Sequence, residues 1–360
     1  MPAESHEDKV RVLVVEDSAV ARKLIVSQLS RDSGIKVVGE AENGIEGLKK
    51  VLDLKPDLVT IDIQMPLMDG LCAIEHIMAR NPLPILVLTS LEDADTAFAA
   101  LSKGALEVME KPRVDRASML LAGKVRALAG VRVPVPYRGD PAVPGRRTRG
   151  ERNASSSDGP SWGVVAIASS MGGPKALSLI LSTLPADLKA PILVAQHMSE
   201  GFTDSMVQWL DGNSRLAVHT AVHGEVVHPG HVYVSPSERN MSVSRSGGIV
   251  LSGRRGMDIY RPCCDVLLES VAESYGSNAI GVILTGMGND GAQGMLSIRE
   301  AGGVTIAQDE STSTIFGMPK AAIEKGCINI VLPLDKISTE LVKRLWIGLP
   351  AMRSAIGSSS

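Results

Sequence analysis

Short β-branched runs alternate with helix-length stretches along almost the whole chain, and this alternation most restricts its fold. The first series reads VRVLVVED, a helical stretch through VSQLS, KVVGE, IEGLKKVLDL, DLVTID, DGLCAIEHIMAR, PILVLTS, TAFAALSKG, ALEVME and SMLLAGKVRALAG. Strands separated by helices cannot pair as hairpins. They line up in parallel, and a parallel sheet needs helices on both faces. The alternation stops over 131–160, where five Pro, four Gly, a Ser triplet and six Arg against three acids leave little to pack. That composition reads as a flexible linker. Its basic run Arg146, Arg147 and Arg149 reads first as solvated charge, with docking to an acidic partner as the alternative. From Trp162 the pattern resumes with GVVAIASS, PILVAQH, NAIGVILTG, VTIAQDE and INIVLP, each followed by a helical stretch. Residues 216–255 depart from it, with short strand-like pieces and turns such as HPG and SPSE. The expected fold is α/β, with two doubly wound parallel-sheet domains over 9–130 and 161–348. A linker joins them, and the second carries a small β-rich insertion.

Composition limits what such a chain does. Its 360 residues allow two to three domains. Only ten residues are aromatic, which argues against reading single-stranded nucleic acid on stacked rings. A net charge of −3 offers no chain-wide field for DNA or an anionic membrane. No apolar run approaches the roughly 18 residues of a membrane span, and the polar start MPAESHEDKV lacks a secretory apolar core. Cys72, Cys263, Cys264 and Cys327 form no C-x-x-C pair and fit reduced thiols. A cytoplasmic protein without nucleic-acid binding or membrane insertion is expected. A catalytic cysteine is disfavoured for want of a positioned histidine.

In doubly wound sheets, chemistry gathers at the carboxyl ends of the strands. In the first domain those ends carry Glu16 and Asp17, Asp62, Thr89 and Ser90, and Lys111. Three carboxylates brought together repel unless a cation joins them, and an all-oxygen set suits Mg²⁺. With a hydroxyl and an ammonium nearby, the set suits phosphoryl transfer to an aspartate. Taken singly, Asp17 or Asp69 reads as a helix N-cap. VVEDSAVARKLI, DIQMPLMDG, TS and KP together closely resemble the receiver domain of bacterial response regulators, over about 9–130. The resemblance implies a flavodoxin-like fold with Asp62 as phosphoacceptor. It implies Mg²⁺ held by Glu16, Asp17, Asp62 and the Gln64 carbonyl, and Thr89 and Lys111 on the phosphoryl group. Receivers often carry an aromatic residue where this chain has Val108, so a relay through a flipping ring is not expected.

In the second domain, Ser169-Ser170-Met171-Gly172-Gly173 ends the first strand, His197 ends the next, and Asp290 lies in the later turn TGMGNDG. A serine, a histidine and an aspartate on separate strand ends suit a nucleophile, a base and its orienter. The glycine-flanked serine also suits a phosphate-cradling loop, but it lacks Walker and G-x-G-x-x-G spacing. His197 alone reads equally as a satisfied polar strand end, and Asp290 as a turn or cap. Ala168 stands where the α/β-hydrolase elbow needs Gly, and the order Ser, His, Asp differs from that fold's. His219, His223, His228 and His231 match no zinc spacing and read as loop histidines.

SSMGGPKAL, QHMSEGFTDSM, GEVVHPGHVYVSP, RPCCDVL, GVILTGMGNDGAQGM and TIAQDESTSTIFGMPKAAI closely resemble the catalytic domain of chemotaxis protein-glutamate methylesterases, over about 163–335. The resemblance implies Ser170 as nucleophile, His197 as general base and Asp290 as orienter, with the Met171 and Met287 N–H groups as the oxyanion donors. It implies methylated chemoreceptors as substrate, glutamine deamidation by the same chemistry, a chemosensory histidine kinase as phosphodonor and no catalytic-domain cofactor. Met171 replaces a threonine and Cys263 a serine common in that family. A response regulator with a DNA-binding output and a non-catalytic scaffold are the rival readings. The first needs a basic helix-turn-helix that residues 161–360 do not resemble. The second is separated by an ester-hydrolysis assay.

Overall fold

The computed structural model describes residues 9–112, 118–133, 163–253 and 262–347. The 134–162 segment, with Arg146, Arg147 and Arg149, lies outside the described residues. The described residues fall into two units, one before and one after residue 140.

The first unit holds β1 (Val10–Val15), α1 (Ala19–Leu29), β2 (Ile35–Ala41), α2 (Gly44–Leu54), β3 (Leu58–Ile61), α3 (Gly70–Arg80), β4 (Ile85–Thr89), α4 (Ala94–Ser102), β5 (Glu107–Glu110) and α5 (Ser118–Ala129). Its five strands are parallel in the order β2-β1-β3-β4-β5. Val12–Val15 and Ile85–Leu88 are buried throughout, as strands covered on both faces must be. Helix starts are set by local chemistry. The Ser18 hydroxyl accepts from the Ala21 N–H, Asn43 from the Glu46 N–H and Asp69 from the Cys72 N–H. Asp69 is therefore an N-cap, whereas Asp17 is not. Gly70 follows Asp69 because its N–H folds back onto the Ile63 carbonyl, and a Cβ there would overlap the Asp62 carbonyl.

The second unit holds β6 (Val164–Ser169), α6 (Gly173–Thr183), β7 (Ile192–Gln196), α7 (Thr203–Asn213), β8 (Ala217–Thr220), β9 (His231–Val234), β10 (Asn240–Val243), β11 (Ile249–Ser252), α8 (Cys264–Tyr275), β12 (Ala279–Ile283), α9 (Ala292–Glu300), β13 (Val304–Gln308), α10 (Met318–Glu324), β14 (Ile330–Leu332) and α11 (Leu334–Ile347). Seven strands pair in parallel in the order β14-β13-β12-β6-β7-β9-β8. The expected insertion is smaller than its sequence suggested. β8 and β9 extend the main sheet, and only the antiparallel pair β10-β11 stands apart. Both sheets place β1 or β6 at the point where successive crossovers leave in opposite directions, which opens a crevice at the strand ends. Among the described residues, no helix is long and apolar enough to cross a membrane.

Candidate active site

Ser170, His197 and Asp290 follow β6, β7 and β12, three strands adjacent in the sheet. The His197 Nε2 lies 2.7 Å from Asp290 Oδ2. Asp290 is 4% exposed, and it caps a helix other than its own. The backbone N–H groups of Cys264 and Asp265, at the start of α8, donate to it over 2.7 and 3.1 Å. Burial works against its charge, but His197 and these donors outweigh it and hold the Asp290 pKa below the ordinary carboxylate range. A buried carboxylate that stays ionised fixes the imidazole with Nε2 protonated, which puts the lone pair on Nδ1.

The two adjacent serines are not equivalent. Ser169 is fully buried and donates its hydroxyl to Gln196 Oε1 over 2.6 Å. Ser170 is partly exposed, and its N–H donates to the Thr285 carbonyl over 3.0 Å. Gln196 donates to the Ser170 and His197 carbonyls over 2.8 Å each, tying the two strand ends together. The register pairing of Ser169 with Gln196 makes this possible. Gly172 turns the chain into α6 with φ 74°, and at Gly173 a Cβ would sit 2.9 Å from the Ser169 Cβ. Gly173 is needed because a Cβ would run into the Gln196 amide, and Gly172 because its φ is positive and a Cβ would run into the Thr314 side chain. The Met171 and Met287 N–H groups have no hydrogen-bond partner among the described residues.

Sequence reasoning passed over Gln196, Thr285 and Gln308, which are all buried. The Thr285 hydroxyl donates to the Met171 carbonyl over 2.9 Å and accepts from the Ile315 N–H. The Gln308 Oε1 accepts from the Thr285 N–H, and its amide donates to the Thr312 carbonyl. Their signal was present: each ends or directly follows an apolar strand run. The cysteine reasoning needs correction, because a histidine does stand beside a thiol. Cys264 Sγ is 3.4 Å from His197 Nε2, and Cys263 Sγ is 3.4 Å from Asp290 Oδ1. Burial pushes the Cys263 thiol up to about 12 and Cys264 well above its ordinary value, so neither is an activated nucleophile.

In the first unit, Lys111 Nζ lies 2.8 Å from Asp62 Oδ2 and 2.9 Å from Glu16 Oε2. One ligand oxygen from each of Glu16, Asp17 and Asp62 lies within 4.8 Å of the others, with Asp17 exposed and the other two buried. Burial raises the Asp62 and Glu16 pKa values, and Lys111 offsets this only in part. Burial alone would lower the Lys111 pKa, but its two carboxylate partners prevail and raise it. The donor set fits a hard divalent cation: three carboxylates converge while the one ammonium touches only Glu16 and Asp62, and all ligand atoms are oxygen. The Thr89 hydroxyl beside it is fully buried with no hydrogen-bond partner among the described residues. Gln64 lines an open cleft of about 460 Å³ together with Asp17, Met65 and Thr96, and its side-chain amide donates to Asp93. Val108 is half-buried in β5 and pairs with Val87.

Three of the histidines between 219 and 231 make contacts within the segment. His219 pairs with Glu225 over 3.0 Å and packs edge-on against His231 and Tyr233, and His223 Nδ1 accepts from the Leu251 N–H.

Residues 165–341 match the CheB methylesterase family, and residues 12–122 match the response regulator receiver domain. The chain is 44% identical over 352 residues to the protein-glutamate methylesterase/protein-glutamine glutaminase 3 of Paramagnetospirillum magneticum, covering 95% of this chain and 97% of that one. It is 41% identical over 350 residues to the protein-glutamate methylesterase/protein-glutamine glutaminase of Pyrococcus horikoshii, covering 94% of each. Among solved structures, the CheB methylesterase catalytic domain of Thermotoga maritima is 42% identical with a TM-score of 0.50, covering 51% of this chain and 99% of that one. The chain therefore belongs to the CheB methylesterase family, with a response-regulator receiver domain ahead of its ester-hydrolase domain.

Proposed function

We propose that the protein hydrolyses γ-glutamyl methyl esters on methyl-accepting chemoreceptors, and deamidates glutamine by the same acyl chemistry, under control of phosphorylation at Asp62. The observation that carries this reading is the 2.7 Å pairing of His197 with Asp290, with the partly exposed Ser170 at the end of the neighbouring strand. His197 Nδ1 takes the Ser170 hydroxyl proton as Oγ attacks the ester carbonyl. Asp290 stabilises the imidazolium that forms. The Met171 and Met287 N–H groups receive the oxyanion. The proton passes to the leaving methoxide, methanol departs, and water cleaves the acyl-enzyme by the same route in reverse. The decisive comparison is methanol release from methylated receptor by Ser170→Ala and Ser169→Ala. Loss in the first alone supports the assignment, and equal release from both removes it.

At the receiver, Glu16, Asp17, Asp62 and the Gln64 carbonyl would hold Mg²⁺, which neutralises charge on a transferring phosphoryl group. Asp62 accepts that group from a chemosensory histidine kinase, with Thr89 and Lys111 contacting its oxygens. The cytoplasm, where such kinases and receptor tails are found, is the compartment this implies. The unphosphorylated receiver inhibits the hydrolase, and phosphorylation shifts the population toward the active arrangement. A regulatory and a hydrolytic domain in one chain support this. Deleting residues 1–150 should then raise the methanol-release rate, and an unchanged or lower rate would exclude simple inhibition.

A further inference from the structure

Cys264 is a nucleophilic side chain in this site that the proposed reaction does not use. Its thiol is wholly buried against the His197 ring, 3.4 Å from Nε2. The same nitrogen is 2.7 Å from Asp290 Oδ2, and one ligand atom from each of the three residues lies within 4.8 Å of the others. His197 follows β7, Cys264 opens α8 and Asp290 follows β12, so three separate elements converge on one point. A thiol held protonated by burial makes a poor nucleophile, but a coordinated metal ion displaces that proton. An imidazole nitrogen, a thiolate sulfur and a carboxylate oxygen form a borderline donor set, suited to zinc and unsuited to Mg²⁺.

We infer that His197, Cys264 and Asp290 form an inhibitory binding site for Zn²⁺, with water in the fourth position. Tetrahedral zinc with bonds of about 2.0 Å to nitrogen and oxygen and about 2.3 Å to sulfur places its ligands roughly 3.3–3.5 Å apart. The 3.4 Å nitrogen–sulfur separation already meets this. The 2.7 Å nitrogen–oxygen separation must open by roughly half an ångström. Proton balance supplies the consequence. The Cys264 proton leaves to solvent, and the ring proton displaced from Nε2 is retained at Nδ1. The group of three passes from net charge −1 to neutral with the ion bound. Nδ1 then carries a proton instead of a lone pair and cannot accept the Ser170 proton. The inhibitory half of this inference rests on the roles proposed for His197 and Asp290. The binding half does not.

The test uses the full chain and Co²⁺ alone, because thiolate-bound four-coordinate cobalt has a near-ultraviolet charge-transfer band. Wild type should show the band, Zn²⁺ should displace it, and EDTA should abolish it. The Cys264→Ser variant should lack the band. It should persist in Cys72→Ala, whose thiol lies 3.6 Å from His76 Nδ1, and in Asp62→Asn, which alters the oxygen-only cluster. In parallel, Zn²⁺ at about ten times its Kd should slow methanol release roughly tenfold by mass action, reversibly with EDTA. Cys264→Ser, scaled to its own metal-free rate, should escape that inhibition. No band in wild type, or a band that survives Cys264→Ser, overturns the site. A Cys264-dependent band with undiminished methanol release overturns the inhibition and counts against His197 as base. Metal-free protein that releases no methanol, with or without residues 1–150, sinks the hydrolase reading alone and leaves the cobalt result standing.

Discussion

Asp62 and Asp290 are both buried carboxylates beyond strand ends, one in each unit. Each follows a strand of a parallel sheet, and they are 3% and 4% exposed. Their neighbours differ. Burial raises the Asp62 pKa with a small addition from Asp17, and its donors, the Ile63 N–H and a Lys111 ammonium that it shares with Glu16, do not offset this. Asp290 receives His197 and two backbone N–H groups from the start of α8, so donors are in excess and its pKa is lowered. Burial opposes ionisation at both. The number of donors within hydrogen-bond reach decides the sign. On the proposed function, one carboxylate is thereby prepared to gain a cation and a phosphoryl group, the other to remain charged through a reaction cycle.

The strongest way to break this contrast is to remove each charge in turn. Asp290→Asn should lower methanol release by roughly 10⁴-fold, the scale found where a triad carboxylate becomes an amide. Asp62→Asn should instead lose the rise in rate that a phosphodonor produces. Comparable losses of basal rate in both variants would erase the distinction. Next in size is Lys111→Met, which strands two buried carboxylates. Such a change costs about 3 kcal/mol, less here because Lys111 is 24% exposed, read as a lower unfolding midpoint of the receiver transition. Smaller again is the response to metal. Mg²⁺ at about 100 times its Kd should stabilise the receiver by about 2.7 kcal/mol, EDTA should reverse this, and the catalytic-domain transition should not move.

The most delicate test is the direction of the pH response. Because the Asp62 pKa is raised on folding, the folded chain keeps a proton that the unfolded chain has released. Its contribution is therefore present at acid pH and lost as pH rises through the folded value. For Asp290 the pKa is lowered, so its contribution is present above the unfolded value and lost as pH falls through the folded one. In metal-free protein, Asp62→Asn and Asp290→Asn should change the slope of stability against pH in opposite senses. Slopes that change together would mean that the neighbours do not set the sign.

Much of the candidate catalytic cluster was legible because polar residues at the carboxyl ends of apolar strands are few, and Ser170, His197 and Asp290 all stand there. Gln196, Thr285 and Gln308 stand there too, yet looked like ordinary strand terminators. Their part depends on which strand lies alongside, and β6 sits between β7 and β12, the second of which comes over a hundred residues later. The Cys264 thiol is 67 residues from the histidine it touches, and no local pattern announces that contact. For the same reason β8 and β9 looked like an insertion, since short runs between turns do not say which sheet edge they join.

Taken alone, then, the chain determined its alternation of strand and helix, its parallel sheets and the strand ends where chemistry collects. Side-chain direction repeats with the backbone, every second residue in a strand and about every 3.6 in a helix, so such features are written in neighbouring residues. Tertiary structure alone decided which serine of the pair is buried, which helix Asp290 caps, and that a thiol lies against the His197 ring. Those facts depend on strand order and on which donors surround a buried charge, and distant segments supply both.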